Sequence, residues 1–503
     1  MSKSLLRQLA HRSGNPPSIR ERRSFVKEMV LAGLLGAELG CTSRRFVSAP
    51  KSIVIVGAGL AGLSCGFELS QAGHQVTIVE AKRRIGGRVF SSNGDKSIEF
   101  ISGKNIEFGA ELIGSNHPRW MHYAELFQLE LQDVTEEIDL EMSVVLDGKR
   151  LTKSEANSLW EELEDTIDLL NLKASSVDAW EPWNSPQATQ LDSQSVGAFI
   201  RMADLSGLAK KVLDLSLMSD NGQLTEQQSL LAMLAQIKGG GLERFWTESE
   251  VYRCRGGNDQ LASALATRIG TENILLGKPV VEARTHDQGV GVILADGTEL
   301  QADCLVITVS PKVWSKIAIS PALPSVLKPQ LGTNTKYFAL VKDRFWASGP
   351  DPVSQYGLGN GLLQMTWEGT DNQSPDQLDQ PAVVVGFSGG PSCQKLSSFS
   401  DQERDSALND ELDKFYPGFQ NKFIKSTFMD WPTEPWTLAS YSFPAPGQVT
   451  QQGPMLVSPL NDGRIYLAGE YTCHAFVGYM EGALQSGYRV AKQVVERFNE
   501  PAA

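Results

Sequence analysis

The stretch that most constrains this chain is Gly57-Ala58-Gly59-Leu60-Ala61-Gly62, set between an apolar run, Ile53 to Val56, and a helical segment, Leu60 to Gln71. Gly57 permits a tight turn, Gly59 lets backbone approach a pyrophosphate, and Gly62 brings helix against strand. The helix start then offers free N–H groups to phosphate oxygens. A second strand, Gln75 to Val79, ends at Glu80, roughly 20 residues on, where an acid can accept from ribose hydroxyls. A glycine-rich turn followed by a surface acid would explain each part singly. The combination predicts a βαβ opening of Rossmann-like type that binds a dinucleotide.

At 503 residues the chain is too long for one core, so two or three interlocked domains are expected. A hydrophobic content of 41% and a charged content of 21% are those of an ordinary soluble globular protein. The net charge of −13 argues against a nucleic-acid partner and against a polybasic membrane-surface role. The six cysteines, Cys41, Cys65, Cys254, Cys304, Cys393 and Cys473, are far apart, with no C-x-x-C pair and no histidine at metal-ligand spacing. No metal site is expected. Cys65 and Cys304 sit in apolar surroundings and read as small core residues.

The first fifty residues read as an address. Glu21-Arg22-Arg23-Ser24-Phe25-Val26-Lys27 resembles a twin-arginine signal, and the apolar stretch Met29 to Leu35 that follows is short for a membrane span. The twin-arginine machinery carries folded proteins, which suits an enzyme loaded with cofactor before export to the periplasm or medium. Leu39-Gly40-Cys41 resembles the end of a lipoprotein cleavage site, but Glu38 stands where an aliphatic residue is expected, which weakens a lipid anchor at Cys41.

Further along, Lys153 to Leu172 is amphipathic, with Leu159, Leu163, Ile167 and Leu170 at helical spacing. Ser195 to Leu217 and Thr225 to Lys238 are read as further helices, the last stopped by Gly239-Gly240-Gly241. Strands are predicted over 279–283, 290–294 and 304–309, with an Asp296-Gly297 turn, then over 464–469, and a closing helix over 481–498. The fold class is therefore α/β: a dinucleotide-binding opening, a helical insertion (151–249) and later strands closed by a helix.

NAD and FAD both satisfy the glycine fingerprint. Directly after Glu80-Ala81, however, comes Arg84-Ile85-Gly86-Gly87-Arg88, where two glycines allow a second close approach and two guanidiniums can neutralise a pyrophosphate. Here the chain resembles the flavin monoamine oxidase family, which includes L-amino acid oxidases and polyamine oxidases. Glu107-Phe108-Gly109-Ala110-Glu111, Tyr252-Arg253-Cys254-Arg255-Gly256-Gly257, Tyr466 to Glu470 and Gly478-Tyr479-Met480-Glu481-Gly482-Ala483 resemble further segments of that family. The likeness runs from about residue 51 to the end.

The resemblance implies a discontinuous FAD-binding domain of glutathione-reductase type (51–110, 250–310, 455–503) and a mixed α+β substrate domain (111–150, 311–454). It places FAD against Gly57, Ala58, Gly59, Gly62, Glu80, Ala81, Arg84, Gly86, Gly87 and Arg88, then Gly109, Ala110, Glu111, Val280, Gly469, Glu470 and Met480. Glu470 would bond the ribityl chain, or else be a buried structural carboxylate. Met480 would open a helix whose N-terminus faces the flavin and stabilises its reduced anion. Lys336, in the apolar Asn334-Thr335-Lys336-Tyr337-Phe338 run, would hold a water against flavin N5; the alternative is an edge-strand lysine facing solvent. Tyr441 and Tyr479 match the aromatic pair that frames the substrate nitrogen. Members with covalent FAD carry a cysteine before the first tyrosine; Ser440 stands here, so FAD is expected to be non-covalent.

The implied reaction begins from an unprotonated nitrogen and moves a hydride from the adjacent carbon to flavin. The imine then hydrolyses, and oxygen takes the electrons as hydrogen peroxide. On substrate the signals divide. The arginine that pairs with a carboxylate in Gly-Ala-Met-Arg segments is absent, since this chain has Gly109-Ala110-Glu111-Leu112. Arg253, Arg255 and Arg344 are offered as alternative cations, and Glu111 as a substrate-binding acid or a residue bonding local backbone. The expectation is an L-amino acid oxidase, with a monoamine or polyamine oxidase as alternative and another flavin desaturase or oxidase behind both. Homodimer formation is left open.

Overall fold

Residues 49–92, 99–135, 140–348, 351–374 and 377–499 are described by the computed structural model. The segment expected to be an export signal, and Cys41, lie outside them. Five parallel strands form the central sheet, in the order Ile465–Leu467, Cys304–Ile307, Ser52–Val56, Gln75–Glu80, Ile274–Leu276. The middle strand reads as a continuous apolar run because a parallel strand inside such a sheet is buried on both faces, and Ile53 to Val56 all are. Leu60–Gln71 starts with the predicted residue. The closing helix, Met480–Asn499, packs on it so tightly that a Cβ on Gly487 would lie 2.3 Å from the Ala61 carbonyl oxygen. Cys65 and Cys304 are fully buried in the adjoining core.

A mixed seven-stranded sheet builds the other half. Its order is Phe423–Asp430, Asn334–Val341, Ala382–Gly389, Met365–Glu368, Gly357–Gly359, Ser143–Leu146, Lys149–Arg150. Asn334–Val341 is an interior strand with antiparallel partners on both sides, and all its residues are buried. Lys336 is therefore no edge-strand lysine. A four-stranded sheet (Glu299–Ala302, Gly289–Leu294, Val280–His286, Ala318–Ser320), turning at Asp296 and Gly297 as predicted, and a two-stranded one (Leu131–Asp133, Tyr252–Cys254) lie beside these. The fold is thus mixed α/β with a parallel central sheet.

The helical block departs from the sequence reading. In place of one helix over 195–217 there are two, Val196–Met202 and Gly207–Asn221, because the Ser206 hydroxyl caps a new start by accepting from Ala209 N. The helix expected from Thr225 begins only at Leu230, after Ser229 caps it in the same way. Among the described residues no helix is long and apolar enough to cross a membrane.

Candidate active site

An elongated cavity runs from the glycine turn of the parallel sheet to the interior of the seven-stranded sheet. At its first end Gly57 turns with φ +108°, and a Cβ on Gly62 would meet the Gly57 carbonyl oxygen at 2.0 Å, so no larger residue fits between helix and turn. The Leu60–Gln71 helix has no side-chain N-cap, which leaves its start for a ligand. Glu80 lies across from it, buried, with Oε2 accepting from Ala58 N and Oε1 from Lys82 N, both at 2.8 Å.

The two arginines of the second glycine segment separate in space. Arg88 lines the cavity and bridges Ser440 O and Glu470 Oε1, at 2.6 and 2.9 Å. Arg84 folds back on its own loop, donating to the carbonyls of Ile85, Gly87 and Val89, and is not among the lining residues. It braces the turn. Glu470, also on the cavity wall, accepts from Gly478 N and the Ser442 hydroxyl as well.

At the other end the Lys336 ammonium makes three bonds: to Glu107 O (3.1 Å), Gly109 O (2.8 Å) and Glu111 Oε2 (2.7 Å). Glu111 Oε1 accepts from Arg253 and from Trp367 Nε1. Arg253 continues to Asp371 and to the Glu368 carbonyl, and Arg344 clasps the Glu368 carboxylate. Burial opposes the charge on Glu111, yet Lys336 and Arg253 outweigh it and hold the carboxyl below its ordinary range. Tyr441 and Tyr479 both line this end. The Tyr441 ring lies beside Gly478, and its hydroxyl donates to the Asp220 carbonyl; the Tyr479 ring meets His117 edge-on at 5.2 Å. Burial, then Asp220 and Glu250, push the Tyr441 phenol well above its ordinary pKa, so it stays neutral.

A family model described as "Flavin containing amine oxidoreductase" matches residues 60–495. The chain belongs to this family. It is 25% identical over 465 residues to the L-amino acid dehydrogenase of Synechocystis sp., covering 88% of this chain and 94% of that protein. Pig amine oxidase [flavin-containing] B is 24% identical over 475 residues, covering 89% and 87%. Cyclohexylamine oxidase from Brevibacterium oxydans superposes with a TM-score of 0.79 at 23% identity, covering 90% and 100%. Wild-type putrescine oxidase bound to putrescine gives 0.78 at 22%, covering 89% and 100%; these two likenesses speak to fold alone.

For a flavin amine oxidoreductase the cradle fits the FAD that the family implies. It offers an uncapped helix start for phosphates, a carboxylate with lone pairs left for ribose, and a cavity-facing guanidinium. Of the residues expected to meet FAD, Gly57, Gly59, Glu80, Ala81, Gly86, Gly87, Arg88, Gly109, Ala110, Glu111, Val280, Gly469, Glu470 and Met480 line it. Ala58 and Gly62 act from behind, through the bond to Glu80 and the packing on Gly57.

Neither Arg253, Arg255 nor Arg344 lines the cavity. Arg253 and Arg344 are buried in the network behind it, and Arg255 lies exposed against Glu130. Sequence reading missed Asp220 and Glu250, which line the end that holds the tyrosines, and Asp371, Trp367 and Glu368 behind Lys336. Asp220 had a partial signal: Asp220-Asn221 ends a helix that periodicity stopped at Leu217.

Proposed function

We propose that this chain oxidises an amine lacking an α-carboxylate and carrying a second, distal cationic nitrogen, with oxygen as electron acceptor. The observation that carries this reading is the charge of the cavity wall. Asp220 and Glu250 line the end framed by Tyr441 and Tyr479, while Arg253, Arg255 and Arg344 lie outside the cavity and Arg88 is held at its cofactor end by Glu470 and Ser440 O. A buried anion without a cationic partner is strongly disfavoured, and a buried ammonium near two carboxylates is not. The putrescine-bound relative fits this reading.

Tyr441 and Tyr479 flank the reacting nitrogen with apolar ring faces that exclude water and suit the neutral amine. When bound, FAD accepts the two electrons of carbon–nitrogen oxidation; per turnover, amine, oxygen and water give a carbonyl compound, ammonia and hydrogen peroxide. FAD is held non-covalently in this proposal, since Ser440 has no thiol and its hydroxyl is engaged with Asn334 Oδ1 at 2.6 Å. The parallel-sheet half is taken as the glutathione-reductase-type domain, and the Arg22-Arg23 segment as a twin-arginine export signal.

A second reading keeps the α-carboxylate: an L-amino acid with a cationic side chain, favoured by likeness to the Synechocystis L-amino acid dehydrogenase. Three substrates separate these. Cadaverine should exceed both pentylamine and L-lysine in kcat/KM, compared at several pH values because their neutral-amine fractions differ. L-Lysine ahead of cadaverine would establish the second reading; pentylamine ahead of both would remove the distal cation.

A further inference from the structure

Gln236 stands on the buried helix Leu230–Gly239, one turn after Met233 and on the same face, and both residues line the cavity. It is 5% exposed. One bond orients its side-chain amide: Nε2 donates to Val477 O at 2.8 Å. A backbone carbonyl only accepts, so the amide nitrogen has to face Val477 and the amide oxygen has to face away. Among the described residues no group donates to that oxygen, which opens on the cavity instead.

The segment that Gln236 holds fixes where this acceptor sits. After Val477 come Gly478, which lies against the Tyr441 ring and donates its N–H to Glu470 at 3.0 Å, and then Tyr479. The amide oxygen therefore belongs to the tyrosine end. Leu217, Met233, Phe245 and Val477 line the same cavity and share one apolar cluster with Tyr441. An amine entering these surroundings uncharged brings N–H groups as well as a lone pair. Its lone pair has to stay free for the oxidation, while an N–H left unbonded among apolar groups is disfavoured. An acceptor that takes the N–H and leaves the lone pair alone meets both requirements.

We propose that Gln236 is a specificity-determining residue whose Oε1 accepts an N–H of the reacting nitrogen, so that the site takes primary and secondary amines and rejects tertiary ones. The proposal rests on the reading that Tyr441 and Tyr479 frame that nitrogen. A neutral tertiary amine has no N–H to give and leaves the amide oxygen buried and unbonded. Gln236 is uncharged, so this preference is separate from any preference for a distal ammonium.

The test compares kcat/KM for pentylamine and N,N-dimethylpentylamine in the wild type, Gln236→Met and Tyr479→Leu, at several pH values because the neutral fractions differ. Both amines have the same chain and no second charge. The wild type should favour pentylamine by about 100-fold or more. Gln236→Met keeps length and bulk without an acceptor; it should cost pentylamine about tenfold and leave the tertiary amine unchanged or improved, so the preference shrinks. Inhibition constants of both amines against cadaverine should show the same selective loss independently of their turnover. Gln236→Asn draws the oxygen back by one methylene, should show a smaller selective loss, and serves if Gln236→Met does not fold. Equal losses for both amines would reduce Gln236 to a brace for Val477, and a preference that survives Gln236→Met would be one of bulk; either overturns the proposal. Tyr479→Leu should lower both amines alike. That loss together with an unchanged preference in Gln236→Met overturns the role of Gln236 alone, whereas wild-type values in Tyr479→Leu overturn the placement of the nitrogen and the proposal with it.

Discussion

Arg88 Nη1 lies 2.9 Å from Glu470 Oε1, joining the second glycine segment to the turn before the closing helix across 382 residues of sequence. The same guanidinium nitrogen holds the Ser440 carbonyl at 2.6 Å. One side chain therefore ties together three walls of the cofactor cavity, through a single nitrogen placed between two acceptors. Arg88→Lys keeps the charge but not the length and planar rigidity that place that nitrogen. It should weaken FAD binding by tenfold or more, about 1.4 kcal/mol, with the fold retained. Titration of apoprotein with FAD, followed by flavin fluorescence, checks this.

Lys336→Met preserves length and apolar bulk in the interior strand. With the cation gone, flavin reduction, reoxidation or both should slow by about 100-fold or more, roughly 3 kcal/mol in barrier terms, while FAD stays bound. Stopped-flow absorbance under anaerobic and aerobic mixing separates the two half-reactions. Wild-type rates in both would make Lys336 a structural lysine.

What the sequence could carry here depended on distance along the chain. The opening turn was legible because strand, glycines, helix and Glu80 are neighbours in sequence and each has a local physical requirement. Lys336 was legible because a charge inside an apolar strand demands a partner. That partner was not, since Glu111 is 225 residues away and its own pattern, alternate residues in an irregular segment, resembles a loop. The same holds for Arg253, whose bonds to Glu111 and Asp371 span 142 and 118 residues. Ser206 and Ser229, by contrast, were readable caps that helical periodicity overrode.

Glu107 gives a pH dependence of stability. Burial pushes its carboxyl from 4.5 up to about 7, against the bonds it accepts from Ser91 and Asn258 N. Between those values the folded state holds a proton that the unfolded state has lost, so stability falls as pH rises from 4.5 to 7 and stays lowered above. The loss is about 3 kcal/mol. Glu107→Gln mimics the protonated form, so wild type and variant should agree near pH 4.5 and diverge by about that amount at pH 8, the variant being more stable. Urea unfolding at both pH values measures it; parallel curves would mean that Glu107 is ionised throughout.

Export is tested by replacing Arg22 and Arg23 with lysine. Charge is conserved, but a receptor-read signal is not. Active enzyme should accumulate inside the cell, and cell fractionation with a peroxide assay on each fraction measures it. Undiminished export of the variant would remove the twin-arginine assignment.

Asp220 and Glu250 carry the last prediction. Both line the cavity beside Tyr441, and both act on its phenol from outside the bonds that hold Lys336. If they receive a distal ammonium, Asp220→Asn and Glu250→Gln should each lower kcat/KM for cadaverine by about tenfold, roughly 1.4 kcal/mol. The loss should fall on KM, because a distal charge is bound alike in ground and transition states. Pentylamine has no second charge, so its kcat/KM should change little or rise slightly as the empty site becomes easier to desolvate. L-Lysine shares the distal ammonium and should follow cadaverine, which makes this test independent of the carboxylate question. Flavin reduction at saturating cadaverine should keep its wild-type rate, showing that the tyrosine frame is undisturbed. Equal losses for cadaverine and pentylamine would mean that the two acids only hold the Tyr441 wall in place, and the substrate would then be a simple monoamine.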